Sequence, residues 1–356
     1  MHNQPFQVRS TSEQVAEFLR DRIKSGQLDG HMPGVHVLAK ELGIHHTTAA
    51  EALGQLEREG YLKGEGAGKK RKILIPGTAE GVRLRVGLLF YEPEDIGTQF
   101  INELRHRLDH AGHVSVVADK SLVELHFEVK RLANVVRKTK ADVWIVVAAS
   151  REVQEWFVKQ KIPVFALFGY AQTEGVARTG PMKGPQLRGI IQRLVQLNHQ
   201  RIVLLIAEQL HRSHPGSMIQ SYLDELKQQG LPAGSYNLPY WNHEKGSLQN
   251  CLQGLFQVTP PTALIMDDPM LVPAVLQFLN QRKLTIPGDV SLICLDGAPS
   301  FKWMEPPLYR LEADIQISIR HAVNWVNRVA KGKGDCRKHD TKAKLIEGGT
   351  IGPACQ

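Results

Sequence analysis

The spacing of apolar residues changes once along the chain, near residue 76, and separates two regions. In the first region, apolar residues recur every three or four positions, as they do on the buried face of an amphipathic helix. Helix-start signals and glycine stops divide this region into short segments. The pattern predicts three helices followed by two strands, over 11–25, 35–42, 46–59, 61–63 and 71–75.

The gap between the second and third predicted helices is Gly43-Ile44-His45, the tight turn that a helix–turn–helix requires. The spacing places Ala49, Leu53 and Leu56 on the inward face of the third helix. Its first turn, His46-Thr47-Thr48, then faces outward. Such a turn reaches base edges when the helix lies in the major groove.

Four consecutive cations, Lys69-Lys70-Arg71-Lys72, follow a glycine-rich tip over 64–68. A hairpin of this kind presents its cations to the DNA backbone, where each neutralised phosphate releases counterions. These features predict a winged helix–turn–helix. A three-helix interaction domain with a flexible basic loop explains the same pattern, and His45 and His46 are equally compatible with capping or surface roles.

The second region alternates strand-like and helical segments. Its apolar runs are continuous, which indicates parallel strands buried on both faces. Strands are predicted over 85–91, 114–118, 142–149, 163–168, 201–207, 262–266 and 290–295. Helices are predicted over 97–111, 122–139, 186–198, 216–229, 246–257, 271–281 and 312–331. This number of strand–helix units is too large for a single sheet. We therefore expect two stacked α/β subdomains that bind ligands at the carboxyl ends of their strands.

Composition is that of a globular protein, with 42% hydrophobic and 22% charged residues. The net charge of +8 is uneven: the stretch 327–346 has seven basic residues against two acidic ones and is interpreted as a solvated helix end and loop. The net charge of the whole chain is therefore not evidence that the protein binds DNA. Four isolated cysteines, no apolar leader and no apolar run of membrane length predict a reduced, cytoplasmic protein without a membrane partner.

The sequence has no phosphate-binding loop, dinucleotide fingerprint or nucleophile elbow, so neither a catalytic residue nor a cofactor is expected. His106, His110 and His113 have a near-helical spacing that suggests a metal site. His106, however, falls on the solvated side of its helix, and no fourth ligand is evident. No metal is predicted.

Residues 11–75 resemble the winged-helix domain of GntR-type regulators. The segments SEQVAEFLRDRIKSGQLDGHMP and LAKELGIHHTTAAEALGQLEREGYL carry the resemblance, together with the hairpin that follows. The family has arginine where His36 and Ala50 stand and Ser-Arg where this chain has His45-His46. Binding therefore depends more on the wing, or the operator is unusual. The predicted DNA contacts are His36, His45, His46, Thr47, Thr48, Lys69, Lys70, Arg71 and Lys72.

Residues 84–352 resemble the effector domain of LacI/GalR regulators, which shares the fold of periplasmic sugar-binding proteins. The block PPTALIMDDPMLVPAVLQFLNQRKLTIPGDVSLICLDG at 260–297 is the strongest match, supported by 197–205, 306–315 and 344–351. The joined architecture is that of AraR-type arabinose repressors. It implies an α/β fold class: an N-terminal winged helix–turn–helix and a two-subdomain, periplasmic-binding-protein-like (type I) effector domain.

This second resemblance implies five ligand-binding residues: Tyr91, Glu92, Trp241, Asp267 and Asp296. An aromatic face such as that of Trp241 suits the apolar side of a sugar ring. Two departures weaken a sugar site, because the family's arginine falls on Met218 and its first-crossover aspartate falls near Pro185. Losing the arginine removes a bidentate clamp for hydroxyls. Asp267 and Asp296 also have an alternative role in capping and turn formation.

These observations predict a winged helix–turn–helix over 1–76, a linker over 77–83, and a ligand-binding and dimerisation domain over 84–356. The predicted function is that of a cytoplasmic, homodimeric transcriptional regulator, more consistent with a repressor. It would bind a palindromic operator in double-stranded DNA and sense a small molecule, a sugar or sugar derivative. The alternatives are a regulator whose cleft has lost small-molecule binding, and a cytoplasmic solute-binding module or enzyme with an incidental N-terminal domain.

Overall fold

The chain forms two compact units in the computed structural model, Met1–Val82 and Arg83–Gln356. The structure describes residues 10–24, 28, 30–64, 66, 70–73, 82–169, 173–210, 216–334 and 336–355. Most of the predicted linker and most of the hairpin tip lie outside these residues. The domain boundaries stated above therefore stay predictions.

Three helices and a two-stranded ribbon form the first unit: α1 (Thr11–Lys24), α2 (Val35–Leu42), α3 (His46–Arg58), β1 (Leu62–Lys63) and β2 (Lys72–Ile73). A capping box begins α1, because Ser10 N donates to Glu13 Oε2 at 2.8 Å and Glu13 N donates to Ser10 Oγ at 3.2 Å. Gly43 ends α2 at a φ of 63°, a left-handed conformation that glycine adopts without strain. The predicted helix–turn–helix is confirmed.

The core of the first unit consists of the inward faces of its helices, with Leu53 and Leu56 completely buried. Phe18 departs from the pattern, which predicts it to face this core. Its side chain is 46% exposed, and the Arg22 guanidinium lies 5.3 Å from its ring centroid. Ala16 is completely buried instead, because α1 packs closely against α3 and a small side chain fits between them.

The second unit alternates strands and helices along the chain. Its strands are β3 (Arg85–Leu89), β4 (Val114–Val117), β5 (Val143–Val147), β6 (Val164–Leu167), β7 (Ala177–Met182), β8 (Ile202–Leu205), β9 (Ala263–Met266), β10 (Ser291–Cys294), β11 (Tyr309–Ala313) and β12 (Lys338–Ile346). Its helices are α4 (Gln99–His110), α5 (Val129–Thr139), α6 (Arg151–Lys159), α7 (Gly184–Gln196), α8 (Ser217–Gln228), α9 (Ser247–Val258), α10 (Leu271–Gln281) and α11 (Ile315–Ala330).

The strands follow one hydrogen-bonded order, β4-β3-β5-β6-β7-β12-β11-β10-β9-β8, and every pair is parallel except β11 with β12. β12 belongs to two sheets, because residues 338–342 pair with β7 and residues 343–346 pair with β11. Each sheet carries apolar clusters on both faces. This architecture confirms the predicted pair of α/β subdomains.

Three crossings connect the two subdomains: the β7–α7 junction, the β11–α11 junction and β12 itself. α11 follows a strand of the second sheet but packs on the first, where the Trp325 ring centroid lies 5.4 Å from that of Phe165. Three short chain connections thus join the two sheets along one side. The opposite side is free to form a cleft.

Several elements differ from the sequence prediction. The helix predicted over 122–139 shortens to α5, because His126 and Phe127 adopt left-handed φ values of 52° and 55°. α6, β7 and β11 were absent from the prediction. The basic stretch 327–346 was interpreted as a helix end and loop, which holds for the end of α11 and the residues after it; the interpretation missed β12, whose first part pairs with β7 and whose last part pairs with β11.

Candidate ligand cleft and DNA-binding surface

A cavity of about 220 Å³ lies where the carboxyl ends of strands from the two sheets converge. Tyr91 follows β3, Asp267 follows β9 and Asp296 follows β10, each within two residues of the strand end. All three line the cavity together with Trp241. Ligands of parallel α/β sheets bind at this edge because the connecting loops meet there. Glu92, the fifth predicted residue, contacts His243, which itself lines the cavity.

Lys183 lies between the two predicted ligand-binding aspartates. Its Nζ is 3.2 Å from Asp296 Oδ2 and 3.7 Å from Asp267 Oδ1, and its side chain is only 9% exposed. Burial opposes the positive charge, but Asp296 and Asp267 outweigh it and hold the pKa of Lys183 above its ordinary value. The lysine is therefore charged, and it pairs with carboxylate oxygens of Asp267 and Asp296 that a ligand would otherwise bind.

A chain of three polar side chains connects the two subdomains across the cleft. Tyr91 Oη lies 2.7 Å from His243 Nε2, and His243 Nδ1 lies 3.0 Å from Glu92 Oε1. Burial and the charge of Glu92 raise the pKa of Tyr91 far above its ordinary value, so its hydroxyl stays protonated and donates to Nε2. The Nδ1–H then donates to Glu92. This arrangement joins the loop after β3 to the loop before α9.

The cleft carries further carboxylates near Asp267. Burial raises the pKa of Asp268 to about 6, and the nearby charges of Glu92 and Asp267 act in the same direction. Asp95 also has a raised pKa through burial, but it accepts hydrogen bonds from the backbone N–H groups of Tyr91 and Glu92 at 3.1 and 3.0 Å. Asp95 therefore organises the loop. Asp268 also accepts a backbone hydrogen bond, from Met270 N to Oδ1 at 2.8 Å, and lines the cavity.

Sequence reasoning missed Lys183 and His243. Lys183 is two residues from Pro185, where the resemblance places a family carboxylate, so the chain has a cation close to where the family has an anion. The sequence offers one weak signal for a positively charged site near Lys183, because α7 begins without an acidic residue in its first turn. Met218, at the position of the family's arginine, is 3% exposed and packs in the core of the second sheet.

The predicted DNA-binding residues of α2 and α3 lie on one exposed face of the first unit. The His36 and His46 ring centroids are 6.0 Å apart, and those of His45 and His46 are 4.2 Å apart. His45 Nδ1 lies 2.8 Å from Thr47 Oγ1, and Thr48 is half-buried beside them. The turn of the helix–turn–helix thus groups three histidines where the family resemblance places arginine and Ser-Arg.

The basic residues of the predicted wing have different environments. Lys69 lies outside the described residues. Lys70 and Lys72 are exposed, and Lys72 pairs with Lys63 in the ribbon. Arg71 Nε lies 3.1 Å from Glu57 Oε1 of α3, so this arginine ties the ribbon to the third helix.

Two further expectations concern membranes and metals. Among the described residues, no helix is both long and apolar enough to cross a bilayer. His106 and His110 lie side by side on α4 with their Nε2 atoms 3.1 Å apart. His113 is buried and bonds to Asn327 Oδ1 at 2.9 Å through Nε2, so it serves the packing of the fold and does not join the other two.

Each of the two units matches a known family model. Residues 11–66 match the model of bacterial regulatory proteins of the gntR family. Residues 191–351 match the model of a periplasmic binding protein-like domain. No curated protein matches the chain.

Solved structures of LacI-family regulators share the fold of the second unit. One from Bifidobacterium animalis subsp. lactis is 20% identical, covers 76% of this chain and 98% of its own, and has a TM-score of 0.59. One from Bacillus cereus subsp. cytotoxis is 17% identical over 76% of this chain and 98% of its own, with a TM-score of 0.62. A dimeric Lac repressor with a C-terminal deletion is 16% identical over 76% and 100%, with a TM-score of 0.61.

The fold and these matches define a class: ligand-responsive transcriptional regulators that join a DNA-binding domain to an effector domain. Within that class, this chain combines a winged helix–turn–helix that matches the gntR-family model with a domain that matches the periplasmic-binding-protein-like model and shares its fold with solved LacI-family structures. The predicted architecture is confirmed.

Proposed function

We propose that the protein is a homodimeric repressor that binds a palindromic operator and releases it when a sugar or sugar derivative binds the effector cleft. The observation that carries this proposal is the convergence of Tyr91, Trp241, Asp267 and Asp296 on one cavity. Aromatic faces and carboxylates suit the apolar faces and hydroxyl groups of sugar rings. The proposal assigns the chain no catalytic step.

A ligand in this cleft acts through its contacts with both sheets. Such contacts stabilise one relative arrangement of the two subdomains over another, and only this difference in affinity shifts the population. Operator half-sites have a fixed spacing on the DNA helix, so a change in dimer geometry changes operator affinity. Couplings of this kind amount to about 1–3 kcal/mol between the two ligands.

The proposed DNA contacts fall into two kinds. His36, His45, His46, Thr47 and Thr48 are assigned to the groove and the adjacent phosphates because they form one exposed face. Lys69, Lys70 and Lys72 are assigned to the phosphate backbone. Arg71 is assigned to the backbone as well, from a position set by its ion pair with Glu57. The lysines therefore supply most of the salt-dependent affinity.

One observation favours a second candidate, a regulator whose cleft no longer binds a small molecule. The Lys183 ammonium already forms ion pairs with both Asp267 and Asp296, where a ligand would bind. In this case the effector unit acts only as a dimerisation scaffold. Operator binding that responds to no sugar in a broad panel, with no thermal shift, would favour the scaffold.

The DNA-binding part is tested by selecting genomic fragments with the purified full chain. We expect enrichment of a palindromic site, and loss of that enrichment in Lys70→Ala/Lys72→Ala. The control is Lys159→Ala/Lys227→Ala, which removes two exposed lysines of the second unit. Failure of the wild type to enrich any fragment would support a solute-binding module or enzyme instead.

The effector part is tested by thermal shift and by operator release across a panel of sugars and sugar derivatives. We expect one compound to raise the melting temperature and to weaken operator binding. Asp296→Asn should reduce both effects without reducing operator binding in the absence of ligand. A compound that binds without changing operator affinity would contradict the proposed mechanism.

A further inference from the structure

The negative charge of the effector cleft is neutralised at one end only. Lys183 pairs with Asp267 and Asp296, so these two carboxylates have a cation beside them. Asp268 lines the same cavity, and no residue of the described ranges forms an ion pair with it. Within those ranges, its side chain accepts one hydrogen bond, from Met270 N to Oδ1. Asp268 therefore carries a charge that its surroundings do not compensate.

The charges that act on Asp268 are themselves negative. Burial raises the pKa of Asp268 to about 6, and three nearby charges add to this shift. They belong to Glu92, Asp267 and Asp95, all of which are acidic. Ionisation of a partly buried carboxyl group is costly here, because burial removes water and the neighbouring carboxylates repel the new charge. A ligand that brings a positive charge reduces this cost, whereas a neutral sugar does not.

Three aromatic rings form a wall of the same cavity, namely those of Trp241, His243 and Tyr91. The ring centroids of Trp241 and His243 are 5.4 Å apart, and those of His243 and Tyr91 are 5.2 Å apart. An ammonium group is attracted to the faces of tryptophan and tyrosine rings, and the attraction increases when water is excluded. Aromatic rings beside an uncompensated carboxylate therefore favour a ligand with a protonated amine.

Trp241 also indicates a second feature of the ligand. Its side chain is 4% exposed and lines the cavity, and its Nε1 has no hydrogen-bond partner in the part of the chain that the structure describes. An indole N–H can only donate, and a buried donor without an acceptor is costly. An oxygen atom of a ligand removes that cost. The ligand should therefore combine a cation with oxygen acceptors.

The size of the cavity limits the ligand further. Its volume of about 220 Å³ is below the roughly 300–1,000 Å³ of sites for drug-sized molecules, which favours a single sugar ring over an oligosaccharide. We propose that the cleft binds an amino sugar, with its ammonium group on Asp268 beside the aromatic wall and one of its oxygens on Trp241 Nε1. This inference rests on the proposed function, which makes the cleft the effector site, and it narrows the class of sugar derivative.

The test titrates the full chain with glucosamine, galactosamine and mannosamine in a calorimeter, each against its parent hexose and its N-acetyl form. N-acetylation removes the charge but keeps the ring hydroxyls. We expect one amine to bind at least tenfold more tightly than both of its neutral counterparts. Asp268→Asn should weaken the Kd of that amine about tenfold, the equivalent of roughly 1.4 kcal/mol. Asp109→Asn, which removes an exposed carboxylate of α4, should leave the Kd unchanged.

Three outcomes would overturn the inference: no amine binds, a parent hexose binds as tightly as its amine, or the two variants weaken binding equally. Circular dichroism verifies that Asp268→Asn is folded. Operator binding in the presence of each compound separates this inference from the proposed function. If a neutral hexose releases the operator, the proposed function stands and the inference fails. If an amine binds as expected without changing operator affinity, the inference stands and the proposed regulation fails.

Discussion

The two units of the chain differ in how far apart in sequence their functional contacts lie. In the first unit, the histidines and threonines that we assign to DNA come from adjacent helices, α2 and α3, and from the turn between them. In the second unit, Tyr91 meets His243 across 152 positions, and Lys183 meets Asp296 across 113. The DNA-binding surface is thus a local structure, whereas the cleft exists only when both sheets are assembled. Substitutions are therefore expected to impair one unit at a time.

The largest expected effect is on the core of the first unit. Leu53 of α3 is completely buried, so Leu53→Ala should lower the free energy of unfolding of this unit by about 2–5 kcal/mol. Operator binding should fall, while the second unit keeps its unfolding transition in urea. Ala50→Ser, on the exposed face of the same helix, is the control. A single transition in which both units weaken together would contradict the independence of the two units.

A smaller loss is expected from the shared lysine. Lys183→Met leaves Asp267, whose side chain is 11% exposed, without its cation. The second unit should lose roughly 2–3 kcal/mol of unfolding free energy, less than for a fully buried pair because 44% of the Asp296 side chain is exposed. Adding Asp267→Asn should recover part of this loss. If the single variant is as stable as the wild type in urea, the ion pairs contribute nothing to stability.

The pH dependence of stability tests the environment of Asp268. Its pKa is about 6 in the folded protein against an ordinary value of 3.8, so the folded state binds the proton more tightly than the unfolded state. Stability therefore falls as pH rises through the window between these values and is constant above it. The Asp268→Asn variant has no such pH-dependent loss, so its stability relative to the wild type should increase across the window by on the order of 3 kcal/mol.

Urea unfolding at a series of pH values measures this advantage. Asp289→Asn provides a contrast of opposite sign, because hydrogen bonds from Thr285 lower the pKa of Asp289. The stabilisation that Asp289 provides is lost as pH falls, not as it rises. An advantage of Asp268→Asn that does not change with pH would show that the carboxyl group is solvated.

The smallest expected effect is on the contact across the cleft. Tyr91→Phe removes the hydroxyl that donates to His243, and it should lower the free energy of unfolding of the second unit by about 1 kcal/mol. A double-mutant cycle with His243→Gln should show that the two losses are not additive, since both break one contact. Strict additivity would mean that the two side chains act separately.

The accuracy of sequence prediction follows the same division between local and long-range structure. α2 and α10 lie at their predicted bounds because each has an apolar face with helical spacing and clear ends. β12 was missed because it has no continuous apolar run, and only Thr341 and Ala343 of it are buried. β7 was missed because Gly180 and Pro181 interrupt its apolar pattern.

The sequence by itself determined the class of protein, the order of its units, the helix–turn–helix and four of the residues that line the cavity. These follow from local periodicity, turn residues and family resemblance, which neighbouring residues carry. Only the tertiary structure placed Lys183 between Asp267 and Asp296 and brought His243 to Tyr91. It also set the starts of α7 and α8 beside one cavity. Such pairings depend on sheet order and on three crossings between subdomains, which no local pattern encodes.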